Sequence, residues 1–379
     1  MSKKILITGG AGFIGSRLVK KLHELNYRIT ILDNLSPQIH GIVPDIASLF
    51  GDQAGRSMRF IKGDVTSRDD WEAALEGQQI VVHLAAETGT GQSMYQIEHY
   101  THVNIGGTAL LLDILANSKH SVEKVVVASS RAIYGEGKYA SKEFGIVYPG
   151  HRKAEDMKRG FFEVTYPGCN EPLEVMSTDE LSRIHPSSVY GISKQVQEQL
   201  VMTVTQSIGI AGVAFRYQNV YGPGQSLSNP YTGILSIFST RIKNGNSINI
   251  FEDGKESRDF VYVDDVVDAT LLGIEKEEAN GQVFNVGSGI PVSVRTVVNE
   301  LMKQFGKEVP VEITGNFRLG DIRHNYADLA KISRTLGFKP EVPFSEGIAR
   351  FANWVNSQNA MPDQYDKSLE ELKAKGLMK

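Results

Sequence analysis

The segment that most restricts the fold of this chain is ITGGAGFIGS at residues 7–16. Its glycines Gly9, Gly12 and Gly15 lie between a β-branched run and an amphipathic stretch. In that setting Gly9 allows a sharp turn, Gly12 lets the backbone approach a pyrophosphate, and Gly15 lets a helix pack close to the strand. Asp33 ends the next β-branched run, where a carboxylate suits the ribose hydroxyls of NAD and repels the extra phosphate of NADP. The segment therefore predicts a strand–turn–helix unit that binds NAD.

The first half of the chain repeats this alternation of β-branched runs and helical stretches. Helical periodicity is present at 14–25, 101–116 and 194–208. Several of the runs are apolar throughout, which is typical of strands covered on both faces. Repeated βα units predict an α/β fold with a doubly wound parallel sheet of the Rossmann type. The runs read as strands are 4–9, 28–33, 59–64, 79–85, 124–130 and 212–217.

Two boundaries divide the chain further. We expect residues 1–219 to form the NAD-binding domain, 220–357 mainly a smaller mixed α/β substrate-binding lobe, and 358–379 a charged C-terminal tail with a peripheral helix. FNVGSG and ADLAKISRTLGF, at 284–289 and 327–338, are assigned to the smaller lobe, whereas helix 262–276 is expected to pack back on the first domain. An insert at about 136–186 shows no regular period, and a loop of that length is usually functional or a small subdomain.

Composition excludes several classes of protein. The net charge is −4 and the pI is near 6.2, so the sequence predicts no nucleic-acid surface. No apolar run is long enough to cross a bilayer, so no membrane partner is expected. The chain begins in a strand without room for a signal peptide, and Cys169 is its single cysteine. We therefore expect a cytoplasmic protein.

Two tyrosines stand four residues before a lysine, Tyr134 before Lys138 and Tyr190 before Lys194. Such a pair meets only on a helix. Glycines between Tyr134 and Lys138 disfavour a helix, each by about 1 kcal/mol relative to Ala. Tyr190, in contrast, follows a serine cap and begins a long apolar-striped helix. We expect Lys194 to lower the pKa of Tyr190, which makes this tyrosine the predicted general base.

Serines at the end of the fifth predicted strand lie at the carboxyl edge of the sheet, where open α/β sheets bind ligands. Together with them, a set of motifs resembles the extended short-chain dehydrogenase/reductases, specifically the nucleotide-sugar epimerases and dehydratases. The resemblance runs from about residue 3 to residue 356 and implies a Ser130–Tyr190–Lys194 catalytic triad with tightly held NAD. The motifs are TGGAGFIGS, SSRAIYG, YGISK, RYQNVYGPG and SRDFVYVDDV.

The fold and the resemblance together give the predicted ligand contacts. The predicted cofactor-binding residues are Gly9, Gly12, Phe13, Ile14, Gly15, Asp33, Asn34, Asp64, Val65, Leu84, Ala85, Ala86, Asn104, Tyr190, Lys194 and Tyr217. The predicted substrate-binding residues are Glu87, Thr88, Ser130, Asn219, Arg258, Arg318 and Asp321. Gln218 stands where related enzymes often carry Phe. The expected substrate is a nucleotide-diphosphate sugar, either dTDP- or UDP-linked, because a diphosphate needs local Arg charge.

The residues after Ser130 favour epimerisation. Dehydratases of the family usually carry an Asp-Glu pair there, whereas this chain has Arg131 and Ala132. The leading hypothesis is a 4-epimerase that oxidises sugar carbon 4 and returns hydride to the opposite face. The alternatives are a 4,6-dehydratase using Glu87 or another acid, a 4-ketosugar reductase, and an NAD-sensing binding protein without chemistry.

Closer similarity is to a bacterial subgroup of dTDP-L-rhamnose 4-epimerase-like enzymes, which places Gln92 and Ser93 near the sugar as well. The segments that carry it are LSPQIHG, HLAAETGTGQSMYQ and SSRAIYGEG with its insert. The subgroup's insert can hold Cys-x-x-Cys pairs, but here only Cys169 remains beside His151 or His185, so no metal is expected. The family also implies a homodimer through the helices near 101–116 and 194–208.

Overall fold

The computed structural model describes residues 3–40, 50, 58–227, 229, 231, 233–359 and 363–379. Gly41 of LSPQIHG and residues 360–362 of the predicted tail lie outside this part of the chain. The strands, in chain order, are β1 Lys4–Thr8, β2 Arg28–Asp33, β3 Met58–Lys62, β4 Ile80–His83, β5 Lys124–Ser130, β6 Tyr139–Ser141, β7 Gly145–Val147, β8 Glu174–Val175, β9 Ala211–Tyr217, β10 Asn219–Tyr221, β11 Ile248–Ile250, β12 Ser257–Tyr262, β13 Gln282–Val286, β14 Pro291–Ser293, β15 Val311–Ile313 and β16 His324–Asn325.

The α-helices are α1 Phe13–Glu24, α2 Pro37–His40, α3 Arg68–Leu75, α4 Thr90–Ser93, α5 Ile97–Tyr100, α6 Gly107–Asn117, α7 Ala154–Lys158, α8 Val189–Ser207, α9 Ile234–Asn244, α10 Val263–Glu275, α11 Val294–Phe305, α12 Ala330–Leu336, α13 Phe344–Ser357 and α14 Tyr365–Ala374. A π-helical turn, Thr101–Gly106, joins α5 to α6. Short 3-10 turns occupy Arg131–Tyr134 and Glu277–Ala279.

The main sheet confirms the predicted doubly wound α/β fold. Its strand order is β13-β9-β5-β4-β1-β2-β3, and every pair is parallel. Helices α1, α10 and α12 pack on one face, and α3, α6 and α8 pack on the other. Because both faces are covered, β1, β4 and β5 are buried almost throughout, as their continuous apolar runs predict.

The seventh strand corrects the assignment of two segments to the smaller lobe. Strand β13, from FNVGSG, pairs with β9, with Phe284 opposite Phe215. Helix α12 follows it onto the main sheet through Ile332 and Leu336. The chain leaves the main sheet after β9 and returns to it at β13, so neighbours in sequence are not neighbours in space. The alternation of runs along the sequence does not reveal that return.

The smaller lobe forms around a separate core. Strands β10, β12 and β14 form one sheet, with β16 beside β12, and β11 pairs with β15. Apolar faces of α9, α11 and α13 close over them. Among the described residues, no helix is both long and apolar enough to cross a membrane.

The insert folds as a small antiparallel sheet in the order β7-β6-β8. Tyr139, Val147 and Val164 make its own small core. Strands of two or three residues are too short to produce a detectable alternation, which explains why the sequence shows no period here.

Candidate active site

A cavity of about 930 Å³ lies at the carboxyl edge of the main sheet and continues into the smaller lobe. Residues that follow β1, β2, β4, β5 and β9 line its sheet side. The predicted site residues that border it are Gly9, Gly12, Phe13, Ile14, Gly15, Asp33, Asn34, Val65, Leu84, Ala85, Ala86, Glu87, Thr88, Ser130, Tyr190, Lys194, Tyr217, Asn219, Arg258, Arg318 and Asp321. The sheet edge therefore gathers most of the predicted cofactor and substrate contacts around one space.

The glycine turn has the geometry of a dinucleotide cradle. Gly9 has φ +66, and a Cβ there would lie 2.8 Å from the nitrogen of Ala85. A Cβ on Gly15 would lie 2.2 Å from the carbonyl oxygen of Gly9, so α1 can pack this close only through glycine. No side chain caps the N-terminus of α1 at Gly12, and its first residues border the cavity. Free N–H groups at a helix start suit a pyrophosphate, so these residues fit NAD.

The end of β2 holds a fixed carboxylate at the cavity. Asp33 accepts hydrogen bonds from the backbone nitrogens of Ala11, at 3.0 Å, and Leu35, at 2.9 Å. His40 lies beside it, with Nε2 3.7 Å from Asp33 Oδ1, a neighbour that the sequence did not indicate. Asp64 does not border the cavity; it accepts a 2.9 Å hydrogen bond from Asn34, which does. This bond and others from Thr66 lower the pKa of Asp64, although burial opposes them.

After β4, one buried asparagine supports the cavity wall from behind. Asn104 is fully buried and does not border the cavity. Its side chain accepts from the nitrogen of Glu87 at 2.8 Å and donates to the carbonyl oxygen of Glu87 at 3.1 Å and to Ser193 at 2.9 Å. Gln92 and Ser93, predicted near the sugar, are also buried outside the lining. Ser93 Oγ instead accepts a 3.0 Å bond from the nitrogen of Tyr190, which fixes the start of α8.

The second Tyr–Lys pair comes together on α8, next to the end of β5. Ser188 caps the helix, and the Nζ of Lys194 lies 6.0 Å from the ring centroid of Tyr190. That Nζ donates a 3.0 Å hydrogen bond to the carbonyl oxygen of Ala128. Burial lowers the pKa of Lys194 to about 7. The hydroxyl of Ser130 faces Tyr190, so all three predicted catalytic side chains meet at the cavity.

The pKa of Tyr190 differs from the expectation. Burial is the largest effect and raises it, while the Ser130 hydroxyl and the Arg131 guanidinium lower it without cancelling the rise. The sequence predicts proximity to Lys194, but it cannot show how completely the phenol loses contact with water. Arg131 borders the same cavity and was not among the predicted contacts.

The first Tyr–Lys pair does not meet. Tyr134 is buried, donates a 2.8 Å hydrogen bond to Asn285 and accepts one of 2.7 Å from Arg216. Lys138 instead pairs with Asp179. Gly135 and Gly137 between them have φ +59 and +83, conformations that end the 3-10 turn.

The smaller lobe contributes a charged group to the cavity. Asp321 accepts from Arg258 at 2.9 Å and from Arg318 at 3.1 Å, and these two arginines together with Arg131 hold the pKa of its carboxyl well below the ordinary value despite burial. The Nε of Arg318 is buried and has no hydrogen-bond partner among the described residues, and the same is true of Asn219 Oδ1. Both residues border the cavity, and a buried polar atom without a partner is unusual enough to indicate a site for a polar ligand.

The sequence predicted only a peripheral helix in the C-terminal tail and did not indicate that it belongs to the cavity lining. Tyr365, Ser368, Leu369 and Leu372 of α14 border the cavity, so this helix is not merely peripheral. Their spacing, which places them on one face of a helix, was the available signal.

The insert offers little for a metal. Cys169 Sγ lies 3.4 Å from Ser141 Oγ, and the rings of His151 and His185 stack on each other at 5.2 Å. Within the described part of the chain, no group of three or more His, Cys, Asp or Glu side chains is placed to hold a metal ion.

Comparisons with known proteins agree with this geometry. The model of the NAD dependent epimerase/dehydratase family matches residues 5–149 and 163–287. The chain is 36% identical to dTDP-L-rhamnose 4-epimerase from Burkholderia thailandensis, over 93% of this chain and 95% of that protein.

Solved structures show the same likeness. UDP-glucose 4-epimerase from Thermotoga maritima with UDP-glucose has a TM-score of 0.74 and 30% identity, covering 93% of this chain and 98% of that one. UDP-glucose 4-epimerase from Thermus thermophilus, in complex with NAD, has a TM-score of 0.73 and 26% identity, covering 94% of this chain and 100% of that one.

Proposed function

The chain belongs to the NAD dependent epimerase/dehydratase family of enzymes, and we propose that it is an NAD-dependent nucleotide-sugar 4-epimerase. The observation that carries this proposal is that Ser130, Tyr190 and Lys194 border the same cavity as the glycine turn and Arg258. A dinucleotide and a nucleotide sugar can therefore meet at the catalytic groups.

The side chains divide the work of removing a proton from the sugar hydroxyl at carbon 4. Tyr190 accepts that proton as general base, and Ser130 donates a hydrogen bond to the same sugar oxygen. The ammonium form of Lys194, held by the carbonyl of Ala128, stabilises the phenolate. Bound NAD supplies reversible hydride acceptance at carbon 4 and hydride return to the opposite face of the sugar.

In this proposal Arg258 and Arg318 hold the diphosphate, and Asp321 fixes the two guanidinium groups. Arg guanidiniums recognise phosphate oxygens through several hydrogen bonds at once. Asp321 orients both of these arginines, and both border the cavity. This local positive group serves an anionic ligand in a chain whose net charge is −4.

The residues after Ser130 favour epimerisation over dehydration. Arg131 and Ala132 provide no carboxyl group to remove a hydroxyl, and Ala132 is buried. Glu87 is the carboxylate that keeps a dehydratase as the second candidate, because it borders the cavity with its Oε1 3.2 Å from His99. Its Oε1 lies against His99 and its backbone is held by Asn104, whereas the two positions directly after Ser130 carry no acid.

For the substrate, we propose a dTDP- or UDP-linked sugar. The first candidates to test are dTDP-L-rhamnose and its carbon-4 epimer, dTDP-6-deoxy-L-talose. The support is the 36% identity to dTDP-L-rhamnose 4-epimerase over 93% of this chain.

The test is product analysis by NMR after incubating the purified protein with dTDP-, UDP- and GDP-sugars, with and without added NADPH. We expect the carbon-4 epimer of one of them without net change in NAD(H). A 4-keto-6-deoxy product would favour the dehydratase, and product only with NADPH would favour a reductase.

We further propose a homodimer located in the cytoplasm. Ile97 and Ile192 are 54% and 47% exposed on the surface formed by α5, the π-helical turn and α8. Val103, Val196 and Leu200 beside them are only partly buried. An apolar surface of this kind suits a twofold interface. The single cysteine suits a reducing compartment.

A further inference from the structure

The C-terminal segment, residues 363–379, packs along the smaller-lobe end of the cavity. Tyr365, Leu369, Leu372 and Met378 pack with Ile237 and Phe251, which themselves border the cavity, and with Tyr95. The Cδ2 of Leu372 is the atom nearest to the position of a Cβ on Gly91, at 3.6 Å. Leu372 therefore reaches α4, the helix whose Ser93 fixes Tyr190.

Polar contacts hold the segment in this place. Arg241 pairs with Asp366 at 3.0 Å and with Asp363 at 3.2 Å, and its guanidinium lies 4.7 Å from the ring centroid of Tyr365. Glu371 accepts a hydrogen bond from Tyr231. These contacts hold both ends of α14 in place. The side of α14 that faces the cavity is therefore a fixed part of the cavity wall.

The last residues pair with the backbone on either side of Arg318. The backbone nitrogen of Phe317 donates a hydrogen bond to the carbonyl oxygen of Lys379, and the nitrogen of Lys379 donates one to the carbonyl oxygen of Phe317. Both are 3.0 Å long. Leu319 donates to the carbonyl of Leu377 at 2.9 Å. The guanidinium of Arg318 rests 5.3 Å from the ring centroid of Phe251, with its buried Nε unpaired among the described residues.

We infer that residues 363–379 are part of the nucleotide-sugar site: Leu369 and Leu372 form an apolar wall against the bound ligand, and residues 377–379 position Arg318 for its diphosphate. The inference rests on the proposed function for the class of ligand. A pyrimidine nucleoside diphosphate sugar combines the two features that this surface matches, an apolar ring face and an anionic diphosphate. The helix exposes Asp366, Lys367, Glu370 and Lys373 and presents its apolar face to the cavity.

The wall is tested with Leu369→Asp and Leu372→Asp in the full chain, and with Ala374→Asp as the matched control on the exposed face of the same helix. Calorimetry with dTDP and UDP should show affinity weaker by about tenfold or more in the two wall variants, because a carboxylate there is desolvated and repels the diphosphate. Ala374→Asp should bind both nucleotides as the wild type does, and the NAD content of every variant should equal that of the wild type. If Leu372→Asp binds dTDP and UDP with wild-type affinity, Leu372 does not contact the bound ligand and the proposed wall is wrong.

The positioning of Arg318 is tested with Lys379→Pro, which removes the donor to Phe317, against Lys379→Ala, which keeps it. KM should be several-fold higher in the proline variant than in the alanine variant at similar kcat, because only proline lacks the backbone donor. Equal KM values in the two variants would overturn the positioning role. If the wild type binds dTDP or UDP but yields no epimer, the proposed function fails and the calorimetry of the Asp variants still decides the wall. If it binds neither nucleotide, both proposals fail.

Discussion

Tyr190 and Tyr134 have the same sequence signature and opposite environments. Tyr190 borders the cavity beside Ser130, whereas Tyr134 is fixed by Arg216 and Asn285 beneath the sheet edge. Tyr190→Phe should therefore abolish turnover with little change in stability. Tyr134→Phe should keep activity but lower the free energy of unfolding by about 1–3 kcal/mol, because Arg216 and Asn285 lose a buried partner. Turnover and urea unfolding of both variants check this, and inactive Tyr134→Phe with active Tyr190→Phe would contradict it.

Arg131 affects the acidity of Tyr190. Its guanidinium lowers the pKa of the phenol, which burial raises. A general base works when deprotonated, so kcat/KM should rise with pH through this pKa. In Arg131→Gln the pKa should be higher and the rising limb should move to higher pH, whereas Arg131→Lys should keep it near the wild-type position. A limb unchanged in Arg131→Gln would show that the guanidinium does not act on Tyr190.

Burial of the Lys194 ammonium group lowers the free energy of unfolding near neutral pH. Its pKa falls from 10.5 to about 7 on burial, so between these values the unfolded chain binds a proton that the folded chain does not. Wild-type stability should therefore rise with pH across this range. Lys194→Met should be inactive yet more stable at pH 7, by at most about 4 kcal/mol, with the gain shrinking toward pH 10.5. Thermal unfolding at several pH values measures this, with Lys142→Met, whose side chain is 89% exposed, as the control.

Among the elements, the insert is held to the smaller lobe in part by the buried side chain of Arg152. Arg152 is 3% exposed at its side chain, makes two 2.8 Å bonds to Glu252 and one of 3.2 Å to Glu136, and donates to the carbonyl of Asp321 at 3.0 Å. The insert thereby braces the loop that carries the proposed diphosphate contacts.

Without Arg152, the buried carboxylates of Glu136 and Glu252 lose a cationic partner. Arg152→Met should lower the free energy of unfolding by roughly 3–5 kcal/mol and raise KM for the nucleotide sugar. The matched variant Arg159→Met removes an insert arginine that is 75% exposed and should change stability by less than about 1 kcal/mol. Urea unfolding of the two variants separates these cases, and equal stability would show that the insert is not held by Arg152.

Elements with long, regular patterns were predictable from the sequence, whereas short or distant ones were not. The turn at Gly9 and helix α8 were predictable because local steric and capping rules determine them. Strand β13 was misplaced because its partner β9 is far away in sequence, and β8 has only two residues. At the site, contacts such as Asn104 depend on which side of the backbone faces the cavity, and sequence patterns do not contain that information.

At the scale of the whole molecule, part of the exposed apolar surface lies on α5 and α8. The proposed homodimer would bury Ile97 and Ile192, which are half exposed in the single chain. Because the N-terminal turns of α8 carry Tyr190 and Lys194, a partner packed on its outer face would also stiffen the catalytic helix.

Ile192→Asp should shift the protein from dimer to monomer, since a carboxylate in an apolar interface is desolvated without a partner. Light scattering coupled to size exclusion measures the mass. Ile290→Asp is the matched control, because Ile290 is 63% exposed in the segment between β13 and β14 and away from α8. A wild type that is already monomeric would contradict the homodimer, and an Ile192→Asp variant that remains dimeric would place the interface elsewhere. If Ile192→Asp is monomeric with reduced kcat and unchanged NAD content, assembly supports catalysis through the position of α8.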